Sequence, residues 1–165
     1  METIENPLKG TLETLLVVDD DPSVLSVVVA ILERANFRVL SAPSGADAIK
    51  LAGETEQKIH LLLSDVDMPQ MSGPDLGAAL KKTRPDLRVM LMSGGDYGLL
   101  VLNYGWSYLQ KPFVKVKLVQ MVTDVLHSAD RSQFGHQFDI RKDIPQKDIP
   151  QDATQSLAAD KKTKA

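Results

Sequence analysis

The chain has 165 residues, 43% of them hydrophobic and 25% charged, with a formal net charge of −3, the balance of a globular domain with length left over for tails. It holds no cysteine, which excludes a disulfide framework and a thiolate metal site. Residues 1–129 carry 12 Lys/Arg and 16 Asp/Glu, and residues 130–165 carry 7 and 6, so neither stretch is the basic patch that direct nucleic-acid binding needs.

The opening METIENPLKG has acidic residues and no apolar core. It is therefore no secretory signal, and residues 1–13 are expected to form a flexible leader. LLVV (Leu15 to Val18) is a short apolar run that reads as a first, buried strand. DPSVLSVVVAILERAN then reads as a helix, with Val24, Val27, Val28, Ile31, Leu32 and Ala35 at helical spacing. Asp21 suits its N-cap, Pro22 its first turn and Asn36 a left-handed exit. Val24 to Leu32 is the longest nearly apolar run and is far too short to cross a bilayer. A cytoplasmic protein without membrane contact is the expectation.

Phe37 to Ala42 reads as a second strand, and Ser44 as the cap of a second helix reaching Ala52, with Ala48, Ile49 and Ala52 inward. Ile59 to Ser64 is a continuous apolar run, as expected of a central parallel strand covered on both faces. DVDMPQMSG is a loop by its Pro, Ser and Gly. PDLGAALKKT follows as a helix with Leu76, Ala79 and Leu80 on one face, then a fourth strand from Leu87 to Met92. GGDYGLLVLNYG has room for at most a short helix, WSYLQ is a fifth strand, and Val114 to Ser128 closes with a helix striped by Leu118, Met121, Val122, Val125 and Leu126. Residues 130–165 contain the tandem KDIPQKDIPQ, few aliphatic residues and several prolines. They read as a disordered or extended tail.

Strands alternating with helices over residues 14–129 imply a parallel sheet covered on both faces, with the ligand crevice at the carboxyl ends of the strands. Polar groups fall at those ends: Asp19 and Asp20 after strand one, Asp65 after strand three, Ser93 after strand four and Lys111 after strand five. Since Asp21 has a capping role, Asp19 and Asp20 are the acids that need another explanation. Two carboxylates 4–5 Å apart repel by roughly 3–4 kcal/mol at an effective dielectric near 20, so a positive charge is expected beside them.

VVDD (Val17 to Asp20), LLLSDVDMPQMSG (Leu61 to Gly73), LMSGG (Leu91 to Gly95) and YLQKPF (Tyr108 to Phe113) together resemble the signature blocks of the response-regulator receiver domain of two-component signalling. The resemblance covers roughly residues 14–128. It implies a flavodoxin-like, doubly wound α/β fold with five parallel strands in the order 2-1-3-4-5 and five helices. It also implies that Asp65 is the phosphoacceptor, attacking a phosphohistidine of a histidine kinase or histidine phosphotransfer protein to form an acyl phosphate. Mg²⁺ would be held directly by Asp20, Asp65 and the backbone carbonyl of Asp67, and by Asp19 through a water. Lys111 would pair with Asp65 and then with a phosphoryl oxygen, with a cis peptide bond before Pro112. Ser93 would give its hydroxyl to the phosphoryl group, and Tyr108 would change rotamer into the space left, making the pair a switch. Such a domain is no enzyme towards other substrates; it catalyses only its own phosphorylation and dephosphorylation.

The chain departs from the family pattern in three places. Asp67, two residues past the acceptor, is acidic where many receivers are neutral or basic, and is expected to modulate phosphoryl lifetime. The segment from Ser93 to Lys111 is short by about one helical turn, so the fourth helix is expected to be short or irregular. Val114 offers no side-chain cap to the closing helix and Lys115 adds a cation to its start. No second core or helix-turn-helix pattern follows residue 129, so output by protein–protein contact is expected, as in a stand-alone relative of the receivers of hybrid sensor kinases.

Two rivals stand beside this reading. DVDMP superficially matches the Asp-x-Asp motif of haloacid-dehalogenase phosphatases, which also use an aspartyl nucleophile and Mg²⁺, but here the acidic pair precedes the nucleophile. A phosphorylation-independent receiver-like interaction module would lack an acid, the acceptor or the lysine, and this chain has all of them.

Overall fold

A computed structural model describes residues 12–95 and 104–128. The expectations for the leader (apart from Leu12 and Glu13), the fourth helix and the tail fall on residues outside these. The described strands are β1 (Thr14–Val18), β2 (Arg38–Ala42), β3 (Leu61–Asp65), β4 (Arg88–Ser93) and β5 (Ser107–Gln110). The described helices are α1 (Pro22–Arg34), α2 (Gly45–Glu54), α3 (Gly73–Thr83) and the closing α4 (Lys115–His127).

All strand pairs are parallel, in the order β2-β1-β3-β4-β5, the doubly wound order expected. Because β1 and β3 are buried along their whole length, their alternate residues feed two cores. Leu16, Val18, Leu62 and Leu91 pack with Ala48 and Ala52 of α2 and Leu76 and Leu80 of α3. Leu15, Val17, Leu63 and Met92 pack on the other face with Val28 and Leu32 of α1 and Leu118, Val122 and Leu126 of α4. Each such Leu, Val or Met side chain contributes about 1.5–3 kcal/mol by leaving water, and each alanine less. The register pairs Val18 with Ser64, Asp65 with Met92 and Ser93 with Gln110, so the carboxyl ends of the strands share one rim.

Helix ends follow local chemistry. The Asp21 carboxylate accepts from the N–H of Ser23 at 2.8 Å and of Val24 at 3.3 Å, and Asn36 leaves α1 with φ 69°. Ser44 caps α2 by accepting from Asp47 N–H at 3.1 Å. Ser72 does the same for Asp75 at the start of α3, a cap that the loop-like composition of that stretch conceals. Val114 has no side-chain cap bond, as read.

One inward assignment is corrected: Ile49 is 38% exposed. Val27, on the helical stripe of α1, is 57% exposed; helical spacing marks a stripe wider than the one that reaches the sheet. Gly45, not Ile49, joins Ala48 and Ala52 as the buried face of α2. Two tertiary contacts are invisible to periodicity. The Arg84 guanidinium donates to the carbonyls of Ala52, Thr55 and Gln57 at 2.8, 3.0 and 3.2 Å, satisfying backbone acceptors at and beyond the end of α2. Trp106 stacks on Tyr104 with ring centroids 4.7 Å apart and lies so close over Gly77 that a Cβ there would sit 2.9 Å from the indole Cη2.

Candidate functional site

The site is assembled where β1, β3, β4 and β5 end. β1 runs straight into Asp19, which is buried, followed by Asp20, which is exposed. β3 ends on Asp65, 8% exposed. Carboxylate oxygens of Asp19, Asp20 and Asp65 all lie within 4.8 Å of one another. Lys111 follows β5 and donates from Nζ to Asp19 Oδ2 and Asp65 Oδ1, at 2.8 Å each. Its own N–H donates to Ser93 O at 2.8 Å, which ties the lysine's backbone to the end of β4. The Lys111–Pro112 peptide bond is cis. Asp19 is held from a second side by the N–H of Asp21, 2.9 Å from Oδ1.

Three carboxylates share one ammonium, and the electrostatics follow from that ratio. Burial pushes the Asp65 carboxyl above its ordinary value; Lys111 opposes this, while Asp19 and Asp20 add to it. Burial works to lower the Lys111 ammonium, but hydrogen bonds and charge from Asp19 and Asp65 outweigh it and hold the value up. The lysine therefore keeps its proton tightly while the central acid resists ionising. The cluster remains short of positive charge, and its donors are hard oxygens that suit Mg²⁺ or Ca²⁺ and poorly suit soft transition metals.

A family model for the response regulator receiver domain matches residues 15–123. The chain belongs to that family. Over 121 residues it is 31% identical to the sensor kinase CckA of Brucella abortus (strain 2308), a match that takes in 71% of this chain and 13% of the kinase. This chain thus spans only a small part of that relative's length. The crystal structure of the receiver domain from the hybrid histidine kinase CckA is similar with a TM-score of 0.57 at 34% identity, covering 68% of this chain and 98% of that one. The response regulator protein TrrA of Thermotoga maritima, solved in complex with Mg²⁺–BeF, shares the fold with a TM-score of 0.63 at 23% identity, covering 70% of this chain and 100% of that one.

In this receiver Ser93 and Tyr108 grip the same turn. The buried Ser93 hydroxyl accepts from Gly95 N–H at 3.0 Å. The Tyr108 hydroxyl donates to Gly95 O at 2.5 Å and lies 3.3 Å from Ser93 O, and its half-buried ring packs against the core under α2 and α3. Asp67 lies exposed on the loop after β3. In the same loop Gln70 adopts φ 68°, a left-handed conformation that glycine or asparagine takes more readily.

The reading of motifs brought Asp19, Asp20, Asp65 and Lys111 to one place, and the fold does join them. It missed Gly73, the first residue of α3. A Cβ at Gly73 would fall inside the van der Waals envelope of the Asp65 carbonyl oxygen and 3.0 Å from its carbonyl carbon. The only signal was the Gly of DVDMPQMSG, which composition explains equally well as a turn residue.

Proposed function

We propose that this receiver takes a phosphoryl group from a phosphohistidine onto Asp65. The observation that carries the reading is the placement of Asp65: a largely buried carboxylate, 2.8 Å from Lys111 and grouped with two further acids. In the transfer an Asp65 carboxylate oxygen forms a bond to phosphorus while the P–N bond breaks, and the imidazole nitrogen keeps the electron pair. The product is an acyl phosphate. Lys111, already engaged by Asp65, turns its Nζ to a phosphoryl oxygen. The donor is a histidine kinase or a histidine phosphotransfer protein, in keeping with the sensor-kinase relative, and output passes through protein contact, with no nucleic acid or membrane bound directly.

The donor set fits Mg²⁺. Asp20 and Asp65 would hold it directly, the Asp67 carbonyl would be a third ligand, and Asp19 would act through a water; the choice of ion is in keeping with TrrA, solved with Mg²⁺–BeF. Bound there, the ion neutralises charge on the transferring group, in a reaction whose catalysis is mostly positioning and electrostatics. Ser93 would leave Gly95 N–H for a phosphoryl oxygen, and Tyr108, whose hydroxyl holds the same turn, would carry that movement to the β5 surface. Among the described residues no helix is long and apolar enough to cross a membrane, and in this reading the receiver works in the cytoplasm.

The decisive measurement is incubation with acetyl phosphate and Mg²⁺ followed by intact mass. The expected result is a gain of one phosphoryl group by the wild type and none by Asp65→Ala. Equal modification of both, or multiple turnover of small phosphate esters, would overturn the reading and revive the phosphatase alternative.

Asp67 supplies a second expected result. Its exposed carboxylate repels each unit of negative charge on the phosphoryl group by about 1 kcal/mol if the two lie near 4 Å apart in water. That repulsion is relieved in a loose, metaphosphate-like transition state, so it speeds loss of the group. Asp67→Asn should lengthen the acyl-phosphate lifetime by roughly five-fold, read as the decay of the phosphorylated mass after donor removal. An unchanged decay rate would show that Asp67 has no such influence.

A further inference from the structure

We infer that Gly73 is a positioning residue for Asp65, and that the absence of a side chain there sets where the phosphoacceptor carboxylate stands. The inference rests on the reading of Asp65 as acceptor. Gly73 is not needed for its backbone conformation: among the described residues the only glycine with positive φ is Gly105. At the first position of α3 an alanine would even be the better helix former. What requires glycine is space, since a Cβ would collide with the Asp65 carbonyl oxygen and meet Leu91 Cδ2 at 3.2 Å.

That carbonyl cannot give way freely. Asp65 is paired with Met92 in the sheet, and the next residue's N–H donates to Met92 O at 2.9 Å. The Ser64 hydroxyl donates to Asp65 O at 3.0 Å. From the other side, Gly73 N–H donates to Val66 O at 2.9 Å. A methyl group at residue 73 must therefore either lift the start of α3 or rotate the peptide between Asp65 and Val66. Either movement shifts Asp65 relative to Lys111, Asp19 and Asp20, which are fixed by β5 and β1 and do not follow. It also shifts the Asp67 carbonyl two residues on. Misplacing a reacting group by about 1 Å lowers rate by about 100-fold.

Gly77 provides the control. It lies one turn further along α3, and a Cβ there meets Trp106 and Val89 Cγ1 rather than the acceptor. Gly73→Ala, Gly77→Ala and Ser64→Ala are compared with wild type at a temperature where each is folded by circular dichroism. Two quantities are read: Mg²⁺ affinity by calorimetric titration, and the initial rate of phosphorylation by acetyl phosphate. Gly73→Ala should lower the rate by about 100-fold and weaken Mg²⁺ binding. Gly77→Ala should leave both unchanged even where it lowers the melting temperature as far. Ser64→Ala, which frees the same carbonyl from its other side without adding bulk, should lower both to a lesser degree.

Wild-type rate and affinity in folded Gly73→Ala would overturn the inference, and so would equal losses in Gly77→Ala. If Gly73→Ala does not fold, Ser64→Ala decides: unchanged rate and affinity would mean that the position of the Asp65 backbone does not govern the site. A wild type that takes no phosphoryl group would sink the acceptor reading instead, and the Mg²⁺ titration would still read the role of Gly73.

Discussion

Lys111→Ala is expected to destabilise the metal-free protein by about 3 kcal/mol, the lower end of the range for removing one partner of a buried ion pair. The lower end applies because the lysine side chain keeps 21% of its surface in water. The loss arises less from the missing attraction than from what remains. Asp19, only 2% exposed at its side chain, loses a contact at 2.8 Å and keeps the Asp21 N–H. Asp65 loses its one cationic partner. Three carboxylates then stand within 4.8 Å of one another, each pair repelling by about 4 kcal/mol at 4 Å and an effective dielectric of 20 before the groups relax or take up protons. Urea midpoints in EDTA should show the loss. Mg²⁺ should return much of it, because a cation at a hundred times its dissociation constant adds about 2.7 kcal/mol. The lysine's contribution should be level across neutral pH. Its folded pKa lies above the ordinary 10.5, so the stabilisation is complete below that value and fades only as pH rises through the folded one. A variant as stable as wild type in EDTA would show that the clasp of Asp19 and Asp65 contributes nothing.

The strands and helix ends were legible because their causes are local. A run such as Leu61 to Ser64 has nowhere to go but a strand covered on both faces, and Asp21, Asn36 and Ser44 act on atoms within a few residues of themselves. The rim acids were legible for another reason: parallel topology sends the carboxyl end of every strand to one edge, so residues 46 and 92 positions from Lys111 could be placed together without any contact being known. What stayed hidden depends on distant neighbours. Nothing near Gly77 announces the indole of Trp106, and nothing near Arg84 announces three carbonyls some 30 residues earlier. Helical spacing put Val27 on the stripe of α1 and Ile49 inward, although both are exposed, because it gives the direction of a stripe and not the width of the surface that covers it. Gly73 is the instructive case. Its necessity comes from a backbone oxygen eight residues back, brought against it by the turn through Gln70.

Asp65→Asn should move stability in opposite directions with and without Mg²⁺. In EDTA at neutral pH the variant is expected to be more stable than wild type by about 0.5–2 kcal/mol, the size common to single stabilising substitutions. The reason is that burial, helped by Asp19 and Asp20, raises the Asp65 pKa above its ordinary 3.8 despite Lys111. A carboxyl whose folded pKa is raised favours folding in its protonated form. Below 3.8 both states carry the proton and ionisation imposes no penalty; as pH rises through the folded value, the folded protein must ionise a desolvated acid and loses stability. The advantage of the asparagine variant should therefore be absent in acid, open as pH climbs above 3.8, and level off once pH has passed the raised folded value. Mg²⁺ reverses the order. At a hundred times the wild-type dissociation constant it adds about 2.7 kcal/mol to wild type, and much less to a variant in which an amide replaces one of the clustered carboxylates. Acidification should erode that gain, since protons and metal compete for the same oxygens. Melting curves of both proteins in EDTA and in Mg²⁺, at pH 5 and pH 7, contain the whole comparison. If the variant were the less stable protein in EDTA at pH 7, the raised carboxyl would be excluded. If it gained as much from Mg²⁺ as wild type, Asp65 would be no ligand, and the ion would be held by the remaining donors, Asp19, Asp20 and the Asp67 carbonyl.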